Sequence, residues 1–374
     1  MQGVRHFWGS ACLLVMLAVS GCAQLPDQGV AAKKDSRVLV YPAPPDEPRF
    51  YYERSIYGSN DVVDVKQEST LKQWVTGVGE IDAGEVLSKP YAVAVHRGRV
   101  FVSDTVARVV RVFDVPESRY FKIGEDDVGR LAKPIGIDLD GAGNLYVADA
   151  TAKSIMVYDR DGKFLRRLGK PDMFDRLASV TVDSKGERIY VVDIGGVRSE
   201  NHRVRVMDAQ SGKLLFDIGK RGSGPGEFNL PRDVAIGKDG RLYVVDGGNF
   251  RIQVFDAEGK FLNNFGKIGI NIGNFARPKE AATDRDGNLY VIDAAYGNFQ
   301  IFNPEGQLLL FVGDRSVQDG PGLYMLPSGV YVDEDGRVYA VDQGFRKVDV
   351  FRPAALPAGT GYLTRKKVEA PATQ

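Results

Sequence analysis

Cysteine and histidine are almost missing from this chain. Its 374 residues hold two cysteines, Cys12 and Cys22, and three histidines, His6, His96 and His202. That count excludes a disulfide framework, and it removes most of the residues that multi-histidine metal centres and histidine-dependent hydrolases need. Net charge is missing too: 49 Lys and Arg balance 49 Asp and Glu, and no basic run is longer than Arg365-Lys366-Lys367. Nothing of that size neutralises a phosphate backbone, so nucleic acid is not an expected partner. What remains is 43 Gly in a chain that is 43% hydrophobic and 26% charged. Disorder, collagen and coiled coil are thereby ruled out, leaving two domains or one large all-β domain.

The N-terminus reads as an address. Residues 1 to 21 carry one formal charge, Arg5, ahead of the apolar stretch from Ala11 to Val19, which has signal-peptide length and is too short to span a bilayer. The following Pro26, Pro42, Pro44, Pro45 and Pro48 offer no core in which a structural helix could bury itself. Val19-Ser20-Gly21-Cys22 resembles the lipobox of bacterial lipoproteins. That resemblance implies cleavage after Gly21, a diacylglycerol thioether on Cys22 and an N-acyl chain such as palmitate, the two-signal anchoring that holds a protein on a membrane. Ala23, where Asp would be the inner-membrane retention signal, implies sorting to the outer membrane, facing the periplasm or the cell surface. Processing would also leave the mature chain without a thiol, and so without a cysteine nucleophile or metal ligand.

The rest of the chain is periodic. The pattern apolar, Tyr or Phe, Val or Ala, any residue, Asp ends at Asp104, Asp149, Asp193, Asp246, Asp293 and Asp342, at intervals of 45, 44, 53, 47 and 49 residues. That is the length of a four-stranded propeller blade. Around Asp246 the unit is complete. Asp233 to Ile236 is a strand, Lys238-Asp239-Gly240 a turn, Arg241 to Val245 a second strand, Arg251 to Phe255 a third, Ala257-Glu258-Gly259 a turn and Lys260 to Phe265 a fourth. Asp-Gly and Glu-Gly between alternating apolar residues are hairpin signals, because Gly supplies the positive φ of a tight turn. From about residue 89 to 352 these motifs resemble NHL repeats. The resemblance implies an all-β, six-bladed propeller of four-stranded antiparallel blades that serves as an interaction platform. Gly222-Ser223-Gly224-Pro225-Gly226-Glu227-Phe228 reads as a blade-joining turn; a phosphate cradle would need a helix directly after it, and a strand follows instead.

Blade six runs out of strands at Arg352. Arg49 to Gly58 ends in apolar-Gly like the other outer strands and is expected to close the ring, pairing the two ends of the chain and leaving no open edge. The expected organisation is therefore a lipoprotein signal peptide (1–21), a Pro-rich tether (22–48), a propeller (49–352) with an insertion at 59–88, and a disordered tail (353–374). The insertion carries Trp74, a residue for packing or for membrane contact.

One identical Asp per blade points to turn structure rather than catalysis, since a site needs particular groups in one place. Departures from the repeat are better candidates. The interval from Asp193 to Asp208 is five residues longer than its counterparts and carries Arg198, Glu200, Asn201 and His202, the histidine being expected in solvent. After the strand-one prolines, Arg232-Asp233 and Lys279-Glu280 put a base and an acid at matched positions, with Tyr91 in the same place in blade one. The loops after the repeated Asp add Asn249, Tyr296, Gln343 and Phe345, groups suited to sugars or peptides. Two functions follow as expectations. The first is a membrane-anchored, non-catalytic scaffold for protein or polysaccharide at the cell envelope, without a cofactor. The alternative is a cation-dependent envelope hydrolase or lactonase, with Asp233 and Glu280 holding a divalent ion such as Ca²⁺ and Asn249 or Asp293 nearby.

Overall fold

The computed structural model describes residues 39–63, 84–196 and 198–365. Five four-stranded antiparallel sheets follow one another along the chain, and a sixth sheet combines both ends of it. Their first strands are Pro90–His96, Pro134–Leu139, Leu177–Val182, Pro231–Ile236, Pro278–Thr283 and Pro327–Val332. These contact one another in a closed circle, the sixth touching the first. Each second strand ends at the repeated Asp beside the start of its own first strand, as Pro231 pairs with Asp246. We call this end of the ring the upper face.

The cores lie between blades, not within them. Each of the six apolar clusters among the described residues draws on two neighbouring blades, for example Val192, Val204 and Val206 of blade three with Val234, Val244 and Phe255 of blade four. A blade is two-sided and buries its faces only against its neighbours, so the ring forms as a unit. Where one blade passes to the next, Gly219 and Gly266 sit at φ +78° and +83°, and a Cβ on either would stand 2.3 or 2.4 Å from the ring of Phe228 or Phe275. Glycine is required there twice over, by conformation and by space. The Gly222–Phe228 segment is such a junction, pinned by Gly226 N–H donating to Gln253 Oε1 at 2.9 Å.

Phe50–Ile56 closes the ring as expected, pairing antiparallel with Lys347–Pro353 from Phe50 opposite Pro353 to Ile56 opposite Val348. Two boundaries differ from the sequence expectation. Val40–Tyr41, assigned to the tether, forms a fifth strand on blade six, and the Tyr41 ring packs edge-on against Phe351 at 5.7 Å. Residues 353–365, assigned to a disordered tail, return beneath the ring. There Leu363 is buried with the blade six and blade one apolar residues, and the Thr360 carbonyl accepts from Arg337 at 2.6 Å. Neither segment repeats the blade pattern, so periodicity carried no sign of them. Cys22, the signal segment and Trp74 lie outside the described residues.

Candidate functional site

The six repeated Asp residues are fully buried and hold the upper face together. Asp149 accepts N–H groups from Ala132 and Lys133 before its blade and from Thr151 and Ala152 after it. Asp293 does the same with Ala276, Arg277, Ala295 and Tyr296. A short carboxylate thus ties the lead-in to strand one to the loop after strand two, a task common to all blades.

Several loop candidates belong to this bracing. Asn249 donates to the Gly222 carbonyl at 2.9 Å and to Asp246 at 2.8 Å. The Tyr296 hydroxyl donates to the Gly269 carbonyl. His202 is not solvated: it is buried, and its Nδ1 accepts the Leu230 N–H at 3.1 Å. The loop thus places the imidazole between blades three and four. Arg198 and Glu200 stay exposed in that loop, while Gln343 and Phe345 are half-buried on the upper face.

The matched acids point elsewhere than the matched bases. Asp233 accepts from Ser179 Oγ at 2.6 Å and from the Ala281 N–H at 3.0 Å, and Glu280 accepts from the Val330 N–H at 3.3 Å. A third acid, Asp138 of blade two, accepts from the Val182 N–H at 2.9 Å. Each carboxyl therefore bonds the first strand of the following blade. Together they line a central cavity of about 730 Å³ that reaches from Asp233 and Glu280 to the lower turns at Arg97, Ser184, Lys238 and Arg285. Burial pushes Asp138 up to about 7 and Asp233 up to about 6. Burial, and then the Asp233 charge, push Glu280 well above the ordinary range. Asp233 and Glu280 do not gather Asn249 or Asp293 around a cation, and no group of three or more His, Cys, Asp or Glu among the described residues is placed to hold one. Asp138 escaped the sequence reading because nothing local marks which strand position faces the axis.

These shifts have a signed consequence. Asp138 keeps its proton in the folded chain up to about 7 but releases it near 3.8 when unfolded. Stability is thus highest at low pH, falls as pH rises between those values, and is flat above them with respect to this group. Asp138→Asn retains an acceptor for Val182 and is expected to stabilise the protein more at about pH 8 than at about pH 4. Urea titrations at the two pH values measure the difference; equal gains would mean that Asp138 is hydrated rather than desolvated.

The bases remain above, at the mouth. Arg232 is exposed and Lys279 half-buried. Burial and then the Arg277 and Arg232 charges bring Lys279 down to about 8. Sequence reasoning missed the cations that complete this ring. Lys89, Lys133, Arg176 and Arg277 each directly precede a first strand, a repeated position that could have been read as a pattern.

The NHL repeat family matches residues 228–255. NHL repeat-containing protein 3 of Mus musculus is 35% identical over 114 residues, 28% of this chain and 32% of that protein. A probable peptidyl-α-hydroxyglycine α-amidating lyase of Caenorhabditis elegans is 32% identical over 110 residues, 28% of this chain and 29% of that one. The chain thus spans about a third of the length of these curated relatives. Among solved structures, a gluconolactonase from Xanthomonas campestris superposes with a TM-score of 0.54 at 16% identity, covering 71% of this chain and 86% of that one. A protein of unknown function from Bacteroides thetaiotaomicron gives 0.58 at 15% identity, with 74% and 72% covered. The closed circle of six sheets makes this chain a six-bladed β-propeller, and its fourth blade matches the NHL repeat.

Proposed function

We propose that this chain is a non-catalytic binding scaffold, held at a bacterial cell envelope by lipidated Cys22 and presenting its upper face to a protein or polysaccharide partner. The observation that carries the reading is the engagement of the acids. The six loop Asp residues brace the face, and Asp233 and Glu280 are bonded to the next blade. These acids have structural work within the ring. The lactonase and lyase among the similar proteins share the fold, and fold alone does not carry chemistry. A lactonase reading would need Asp233 and Glu280 to take a cation, and their hydrogen bonds to the neighbouring blades favour the structural role.

Cys22→Ala is expected to leave the precursor uncleaved and to abolish the acylated N-terminal peptide in mass spectrometry. A normal mature mass in that variant would overturn the anchor. In capture experiments with envelope extracts, Phe345→Ala is expected to weaken partner retention about tenfold or more, since aromatic anchors dominate interface energies. Hydrolysis of a lactone panel by the purified chain in the presence of Ca²⁺ would overturn the scaffold.

A further inference from the structure

Charge on the upper face is sorted by distance from the axis. Lys89, Lys133, Arg176 and Arg277 each sit immediately before a first strand, and Arg232 and Lys279 are the second residues of theirs. The first strands form the inner wall of the ring, so these residues lie on its innermost turn. Four of them lie within electrostatic reach of one another: Arg232 of Arg176 and Arg277, and Lys279 of Arg277 and Arg232. None of the four takes part in an ion pair among the described residues. The nearby acids form no ion pair with them among the described residues. Glu280 and Asp233 bond backbone of the following blade, and Asp342 accepts from the Leu326 and Phe345 N–H groups. Four like charges are thus gathered at one mouth without an ion pair among the described residues, Glu280 and Asp342 being the acids that act on Lys279, an arrangement whose repulsion an incoming anion would relieve.

We propose that this mouth is a binding site for a compact multivalent oxyanion, a group carrying two or more phosphate or carboxylate charges that enters end-on along the channel axis. The proposal rests on the scaffold reading and names the chemistry of its ligand. Guanidinium groups match carboxylate and phosphate oxygens bidentately, whereas Lys279 contributes a point charge. The form of the ligand follows from what surrounds the mouth. The blade-joining segments farther out carry both signs, with Glu125, Asp126 and Asp127 exposed in the first of them. An extended polyanion lying across the face would meet these acids; a compact end group meets only the cations.

Calorimetry on the purified mature chain, at low and moderate salt, tests the site with pyrophosphate, citrate, acetate and long polyglutamate as probes. Pyrophosphate and citrate are expected to bind, acetate at least about tenfold more weakly, and added salt to weaken all of them. Preference between pyrophosphate and citrate separates a phosphate ligand from a carboxylate one. Arg232→Gln combined with Lys279→Gln is expected to weaken pyrophosphate or citrate binding at least about tenfold. Lys238→Gln with Arg285→Gln, at the lower end of the cavity, should leave binding unchanged. Affinity should also fall as pH rises through about 8, where Lys279, facing Arg277, Arg232, Glu280 and Asp342, loses its proton. That step should vanish in Lys279→Gln while the melting temperature stays the same. Failure of both compact anions to bind, equal affinity in the double variant, or binding confined to polyglutamate would overturn the proposal. Turnover of a bound anion would instead overturn the scaffold reading and leave the site standing.

Discussion

A chain beginning at residue 60 is expected to melt at least about 10 °C below the full chain, and to associate through the exposed edge of blade six. The strand removed, Phe50–Ile56, buries Phe50 and Ile56, each contributing about 1.5–3 kcal/mol. It also supplies Glu53, whose carboxylate meets Arg337 Nε at 2.7 Å. Arg337 is only 1% exposed, so losing Glu53 strips a buried cation of one of its partners. A loss above about 5 kcal/mol converts to the stated shift for a domain of this size. A chain beginning at residue 46 tests the smaller surprise. It loses Val40–Tyr41 and the Tyr41–Phe351 contact, about 0.5–1.5 kcal/mol beyond area burial, and should melt a few degrees lower. Differential scanning calorimetry and light scattering read both, and equal melting temperatures for the residue-60 and residue-46 chains would show that the ring does not depend on its closing strand.

Lys347→Met is expected to cost about 3–5 kcal/mol of unfolding free energy near neutral pH. Lys347 is completely buried and its ammonium lies 3.0 Å from Asp349, also buried, and 3.1 Å from Asp319. Asp349 in turn accepts from Ser55 of the closing strand and from the Gly322 N–H at the junction into blade six. One carboxylate therefore joins the closing strand, the blade and its lead-in. Burial already raises its pKa against the opposing pull of Lys347, so removing the cation leaves a desolvated charge with hydrogen bonds only. The penalty should shrink at low pH, where Asp349 takes up a proton. Adding Asp349→Asn keeps an acceptor for the Gly322 N–H, turns an amide N–H toward the Ser55 hydroxyl oxygen, removes the charge, and should recover a large part of the loss. Urea denaturation of the four chains in a double-mutant cycle measures the coupling. A single variant within about 1 kcal/mol of the original protein would mean that water reaches the pair.

The blade count, the strand order within each blade and the closing segment were legible because each depends on local chemistry. Leu242-Tyr243-Val244-Val245-Asp246 alternates as a strand does, Gly240 marks a hairpin, and Asp246 recurs because every blade needs the same brace. The candidate site was legible only in part. Arg232 and Lys279 stand at the mouth as their position after the strand-one proline implied. Asp233 and Glu280, one residue on, turn into the channel, since successive strand residues face opposite ways and the partners that take their charge are amides of Ala281 and Val330, 48 and 50 residues downstream. His202 looked like a solvent residue because its neighbours are polar, and became a buried wedge because blade four lies against its loop.

The sequence by itself determined the propeller, its six units and its resemblance to an exported, lipid-modified chain, because those are written in short-range alternation and spacing. Tertiary structure alone decided that three carboxyls share one central cavity, that Lys347 and Asp349 pin the closing strand, and that cations from separate blades gather without ion pairs among the described residues. Burial and electrostatic coupling are set by closing the ring, which brings together residues that no local pattern relates.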